Sequence, residues 1–192
     1  MTLPATPRSF SVDEYLMLER SSREKSEYLD GAIYAMTGAS RDHNHIVLNI
    51  AATLRGALRG SPCETFSNDL RVKVADSGLY TYPDVLVACP PISWDREHMD
   101  MLENPSVLVE VLSPSTELYD RNEKWARYQQ LPSLQHYLLV AQNRVQIDHY
   151  SRDPQGWRVE TLSKLDDVVQ LQAIGAELSL SDVYERVIDN QT

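Results

Sequence analysis

Three side chains in this sequence combine the types and settings that phosphoryl chemistry requires. Glu110 stands inside Val107-Leu-Val-Glu-Val-Leu112, where an unpaired charge costs several kcal/mol or is forced neutral. On a strand it shares a face with Leu108 and Leu112, so a cation, a metal ion or hydrogen-bond donors must stand opposite. Asp84 follows Pro83 at the start of a second apolar run, Val85-Leu-Val-Ala-Cys89, and proline is tolerated at a strand's first position. Lys124 is the third, lying between Asp120 and Tyr128 at fourfold spacing, so that all three project from one helix face.

Two carboxylates on neighbouring strands are the donors that a hard, oxygen-seeking ion requires, since Mg²⁺ takes one or two protein carboxylates and keeps waters for substrate. Such an ion lowers the pKa of a bound water and neutralises charge on phosphate oxygens, while Lys124 would orient the water or stabilise the pentavalent phosphate. Plainer roles are open for each residue. They are an edge position or salt bridge for Glu110, a loop cap for Asp84, and a solvated Asp120–Lys124 helix pair worth about 0.3–0.5 kcal/mol. His43 and His45, two residues apart on a helix, face different ways and so do not suit shared ligation; capping or packing near the helix start is the commoner role for such residues, and lining of the site is the alternative. Ser113 and Ser115 lack the Gly-x-Ser-x-Gly elbow of a serine nucleophile and read as helix caps.

The elements that must position these residues follow from pattern. Ser11-Val-Asp-Glu14 is a capping box opening a helix over 11–20, with Tyr15, Leu16 and Leu18 as its apolar face. Two short strands joined by Asp30-Gly31 predict a hairpin. Ile46, Ile50, Leu54 and Leu58 recur at every fourth position, which predicts an amphipathic helix over 40–59, stopped by Gly60 and Pro62. Leu70, Val72 and Val74, a turn at Asp76-Ser77-Gly78 and the run 82–89 predict a second hairpin. The apolar run 107–112 predicts a strand buried on both faces. After it come a helix from Ser115 or Thr116 to Leu131, strands at 136–141, 144–150 and 157–162, and a capped helix over 181–188.

At 192 residues, 42% of them hydrophobic and 24% charged, the chain can bury one core and needs no second domain. No apolar run approaches the ~20 residues that cross a bilayer, which predicts a soluble protein. The opening Met1-Thr-Leu-Pro-Ala-Thr-Pro-Arg8 has no apolar h-region, which predicts a cytoplasmic protein. Cys63 and Cys89 form neither a CxxC pair nor a Cys/His cluster, so no zinc site is expected and both read as reduced, partly buried thiols. The net charge of −10 is the wrong sign for coating nucleic acid through bulk electrostatics. A local basic strip could still arise from Arg41, Arg55, Arg59, Arg71, Lys73, Arg121, Lys124 and Arg127, although scattered solvated cations are the commoner outcome.

The order Glu27-Tyr-Leu-Asp-Gly31, His43-Asn44 at a helix start, Tyr82-Pro-Asp-Val85, Val109-Glu-Val-Leu-Ser-Pro-Ser-Thr116, and Asp120 with Lys124 and Tyr128 resembles the Uma-type restriction endonuclease family. That bacterial family belongs to the PD-(D/E)XK nuclease superfamily, and the resemblance covers essentially the whole chain. It implies a restriction-endonuclease-like α/β fold, with a mixed central sheet flanked by helices, in a single domain over 1–192. It further implies that Asp84 and Glu110 are the acidic ligands of Mg²⁺ or Mn²⁺, with Glu27 as an auxiliary acid. The superfamily lysine would stand at position 112, which is Leu here, and Lys124 is its substitute on the following helix. The implied activity is hydrolysis of DNA phosphodiester bonds by metal-activated water, in a homodimer. Two other classes remain open: a catalytically silent protein used for binding or assembly, and a metal-dependent hydrolase of a small phosphorylated molecule.

Overall fold

The computed structural model describes residues 9–36, 38–74 and 77–187. Ser11 caps the first helix, α1 (Val12–Ser21), through the expected reciprocal box, accepting from Glu14 N while Glu14 Oε2 accepts from Ser11 N. Tyr15 and Leu16 are buried, whereas Leu18 is 47% exposed and does not belong to the packed face. β1 (Ser26–Leu29) and β2 (Ala32–Ala35) form the expected hairpin, with Asp30 and Gly31 both at positive φ in its turn. Two such residues in succession give the twist that matches the flanking strands. Ser40 caps α2 (Arg41–Ala57), whose buried stripe of Ile46, Val47, Ile50 and Leu54 follows the predicted spacing.

The next strands are β3 (Glu64–Ser67), β4 (Arg71–Val74), β5 (Leu79–Thr81), β6 (Val85–Ala88), β7 (Met101–Leu102) and β8 (Val107–Leu112). β4 does turn back into a hairpin, but its partner is β5; β6 pairs with β3 and β8 in a different sheet. Pro83 supplies no N–H to a ladder, so the run 82–89 breaks where the chain changes sheets. Asp76, assigned to the turn, lies outside the described residues.

Among the described residues one sheet has the order β2-β1-β5-β4-β7. The larger sheet has the order β11-β10-β9-β8-β6-β3, with β9 (His136–Ala141), β10 (Ile147–Asp153) and β11 (Gly156–Leu162). β8 runs parallel to β9 and antiparallel to β6, so this central sheet is mixed, as expected. Every residue of β8 is buried. Val107, Val109 and Val111 pack in the core shared with α2, whereas Leu108 and Leu112 pack with Leu29, Val72 and Leu79 of the smaller sheet and with Tyr128. Strand alternation puts Glu110 on this second side.

The segment expected as one helix to Leu131 is divided into α3 (Glu117–Tyr119), a π turn over Asp120–Lys124, and α4 (Trp125–Tyr128). A small hairpin of β12 (Val168–Leu171) and β13 (Ala176–Ser179) was not anticipated. α5 (Leu180–Val183) is shorter than the predicted terminal helix. Ile188 and residues 1–8 lie outside the described residues. Among the described residues no helix is long and apolar enough to cross a membrane. Cys63 and Cys89, expected as separate reduced thiols, are joined by a disulfide. They stand one step beyond the Glu64↔Ala88 pair, so the β3–β6 ladder brings together cysteines 26 positions apart.

Candidate active site

The register Val85↔Val109 sets Asp84 beside Glu110 at one end of β6 and β8. Asp84 Oδ2 accepts a hydrogen bond from Val111 N at 2.7 Å and lies 3.2 Å from His43 Nε2 in the first turn of α2. Glu110 Oε1 accepts from Lys124 Nζ at 3.1 Å and from the Tyr128 hydroxyl at 2.8 Å. Glu27, from β1, approaches from the smaller sheet. Its Oε1 lies 3.0 Å from Lys124 Nζ and accepts from Tyr82 N at 3.3 Å and from the Thr81 hydroxyl. Asp120 Oδ1 comes within 3.3 Å of Lys124 Nζ, a charge contact without the direction of a hydrogen bond. The helix pair expected on a solvated face is therefore buried: Asp120 is 2% exposed and Lys124 5%.

Three carboxylates meet one ammonium, and Asp84 adds a fourth negative group close by. Burial drives the Glu110 pKa well above the ordinary carboxylate range, and Asp120, Asp84 and Glu27 push the same way against the pull of Lys124. Burial also opposes the Lys124 ammonium, but Glu110, Glu27, Tyr128 and Asp120 outweigh it and hold its pKa well above that of free lysine. Burial is likewise the main cause of the raised Asp120 pKa, with Lys124 opposing it. Tyr128 is raised by burial and then by Glu110. At neutral pH Lys124 and Tyr128 are hydrogen-bond donors, not proton acceptors.

This donor set fits a hard divalent cation. Asp84 Oδ1 and Glu110 Oε2 take no hydrogen bond from the described residues, and the carboxyl groups outnumber the one ammonium. Among the described residues no group of three or more His, Cys, Asp or Glu side chains forms a self-sufficient metal centre. Waters and substrate would complete the shell, the usual arrangement for Mg²⁺.

Asp84, Glu110, Lys124 and Glu27, the residues singled out from sequence, thus converge on one place. Of the roles open to His43, capping or packing and site lining, the structure shows the ring in contact with Asp84, with Nδ1 buried and without a hydrogen bond among the described residues. The only hint in the sequence was His43 at a helix start; nothing there shows that this helix end meets Asp84. Most of the basic strip does not form as free cations, Arg55 and Arg59 at the far end of α2 being the members for which no ion pair is seen among the described residues. Arg71 pairs with Glu19 and Asp100, Lys73 with Asp95, Arg121 with Glu117 and Asp148, and Arg127 with Asp30. A surface hollow of about 520 Å³, lined by Arg55, Arg59, Glu64 and Phe66 among others, lies near the other end of α2. At ~1.5 Å per helical residue its Arg55 is roughly 18 Å from His43, and the hollow contains none of the clustered acids.

The family model described as "Uma2: Putative restriction endonuclease" matches residues 12–182. The chain is 38% identical over 182 residues to "Uncharacterized protein slr1290" of Synechocystis, a match covering 94% of this chain and 95% of that protein. It is 35% identical over 152 residues to "Uncharacterized protein sll1609" of the same organism, covering 79% and 86% respectively. A crystal structure of a "putative nuclease belonging to DUF820" from Anabaena variabilis shares the fold, with a TM-score of 0.78 over 93% of this chain and 99% of that one. The sequence identity in that match is 20%.

Proposed function

The chain belongs to the Uma2 restriction endonuclease family, and from that premise we propose that it hydrolyses phosphodiester bonds in DNA at the cluster around Glu110. The observation that carries this reading is the meeting of Asp84, Glu110, Lys124 and Glu27, from three strands or their ends and one helix, in a setting where each charge depends on the others. A purely structural core gains little from such an arrangement, because apolar residues of similar volume are often as stable or more so.

In this reading Asp84 and Glu110 hold Mg²⁺ or Mn²⁺. The ion, when bound, supplies Lewis-acid stabilisation of charge on the phosphate and eases deprotonation of the attacking water. The chain's own groups do the rest. Val111 N–H and His43 Nε2 fix the orientation of the Asp84 carboxylate. Lys124, held as an ammonium, donates to the attacking water or to a non-bridging phosphate oxygen. Glu27 and Asp120 anchor that ammonium from two sides, and Tyr128 fixes Glu110. Attack is direct and in line, with no covalent enzyme intermediate.

The test is a cleavage assay on plasmid and oligonucleotide DNA with Mg²⁺, Mn²⁺ or chelator, using wild type, Asp84→Ala, Glu110→Ala and Lys124→Ala. The expected result is cutting that requires the ion and falls in each variant by at least the roughly 10–100-fold lost when supporting residues of a metal site are changed. Cutting that survives excess chelator or Asp84→Ala would overturn the mechanism.

A further inference from the structure

Glu27 and Tyr34 are directly paired across β1 and β2, so their side chains leave the same face of the smaller sheet as close neighbours. Glu27 is buried against Lys124, but β2 is an edge strand, and Tyr34 remains 46% exposed. Its ring lies against Tyr119, with centroids 5.7 Å apart and planes inclined at 32°. Tyr119 in turn carries the Lys124 ammonium 5.6 Å from its ring centroid, and its buried hydroxyl has no hydrogen-bond partner among the described residues. Two short steps therefore lead from an open aromatic face to the ammonium of the cluster.

We propose that Tyr34 and Tyr119 form a stacking platform for an unpaired nucleobase, so that the preferred substrate is single-stranded or locally unpaired DNA. The proposal rests on the nuclease reading above and narrows its substrate. A base within a duplex keeps its faces stacked on its neighbours, whereas an unpaired base offers a π-face to any aromatic side chain. The placement suits this role: Tyr34 lies against Tyr119, whose ring faces the Lys124 ammonium, so a base on Tyr34 stands beside the cluster. Tracking a duplex by its phosphates depends on free Lys and Arg, but this chain has a net charge of −10, and Arg121 and Arg127 near the cluster are occupied by carboxylates. A single strand carries phosphates too, but a stack on Tyr34 adds binding that does not depend on those cations and tolerates any base sequence.

The test uses an oligodeoxynucleotide carrying 2-aminopurine, whose fluorescence falls when the base stacks, titrated with the full chain in Mg²⁺ while cutting of the same strand is followed on a gel. Wild type and Tyr34→Trp are expected to quench the probe and to bind the single strand ~10-fold or more tightly than its duplex. Tyr34→Ala, at an exposed position, should keep its melting temperature and bind the single strand ~10-fold more weakly, within the range for loss of one base–aromatic stack. Equal binding of duplex and single strand, or unchanged binding by Tyr34→Ala, would overturn the platform. Quenching that follows Tyr34 with no cutting would leave the platform standing and remove the hydrolytic reading. Cutting indifferent to Tyr34 would do the reverse.

Discussion

Lys124 and Glu110 meet at 3.1 Å, each side chain almost wholly removed from solvent. Removing one partner of such a pair leaves the other charge buried and unmatched, at a typical cost of about 3–5 kcal/mol. Lys124→Met is therefore expected to lose that much stability in urea unfolding as well as activity. Adding Glu110→Gln to it should restore only part of the stability, because Glu27 and Asp120 remain without their cation, and none of the activity. A single variant as stable as wild type would contradict the pairing.

The cluster's response to pH has a definite sign. Glu110 has a folded-state pKa well above its ordinary value, chiefly through burial. Its contribution to stability is fully present below the unfolded value, near 4.5, and is lost as pH rises through the raised one. A divalent cation bound as proposed would take the place of the proton, so Mg²⁺ or Mn²⁺ should raise the melting temperature more at pH 8 than at pH 5. Asp84→Asn should abolish that shift. Melting curves with and without chelator at the two pH values decide the matter, and a shift that is equal at both would exclude proton displacement at Glu110.

In the proposed mechanism His43 acts only by holding Asp84, 3.2 Å away. His43→Ala is expected to lower kcat by roughly 10–100-fold, the scale of outer-shell losses, with a smaller change in KM. His43→Gln, whose amide can donate to the same carboxylate, should recover part of the rate. Loss of binding without loss of turnover would instead make His43 a substrate contact.

A second titrating group lies across the central sheet. Ala173 N donates to His136 Nε2, which leaves His136 Nδ1–H to donate to His149 Nε2 at 2.9 Å, and His149 Nδ1–H to Glu160 at 3.1 Å. Burial and then the neighbouring His149 lower the His136 pKa to about 4. A lowered folded value means that stability is full above the unfolded value of 6.5 and is lost as pH falls toward 4. The loss is on the order of 3 kcal/mol. Urea titrations from pH 7.5 to 4 should show this slope in wild type and a flatter one in His136→Phe; an unchanged slope would assign it elsewhere.

Much of this architecture can be read from local pattern. The α1 capping box, the Asp30-Gly31 turn, the stripe of α2 and the unbroken apolar run of β8 each declare themselves within a few residues. A carboxylate in the middle of β8 announces its need for a partner before any partner is known. What the pattern does not contain is pairing across long separations. β3, Glu-Thr-Phe-Ser, is short and polar because it lies at a sheet edge, and without it nothing suggests that Cys63 meets Cys89. The switch of sheets at Pro83 was hidden by apolar residues on both sides of it. His43 was discounted by comparison with His45, whereas the partner that matters, Asp84, stands on another element.

The π turn over Asp120–Lys124 bears on how such proteins are found. A π turn accommodates an extra residue within an otherwise ordinary helix, so the spacing from the β8 acid to the helical ammonium can change by an insertion or deletion without rebuilding the sheet. Leu112 occupies the place where a search pattern of acid, one residue, lysine would look, and such a search passes over this chain. Scans that instead seek a lysine within one helix of a buried strand acid, with an aspartate four positions before it, would gather chains that bring an ammonium to such an acid from the helix instead of from the strand.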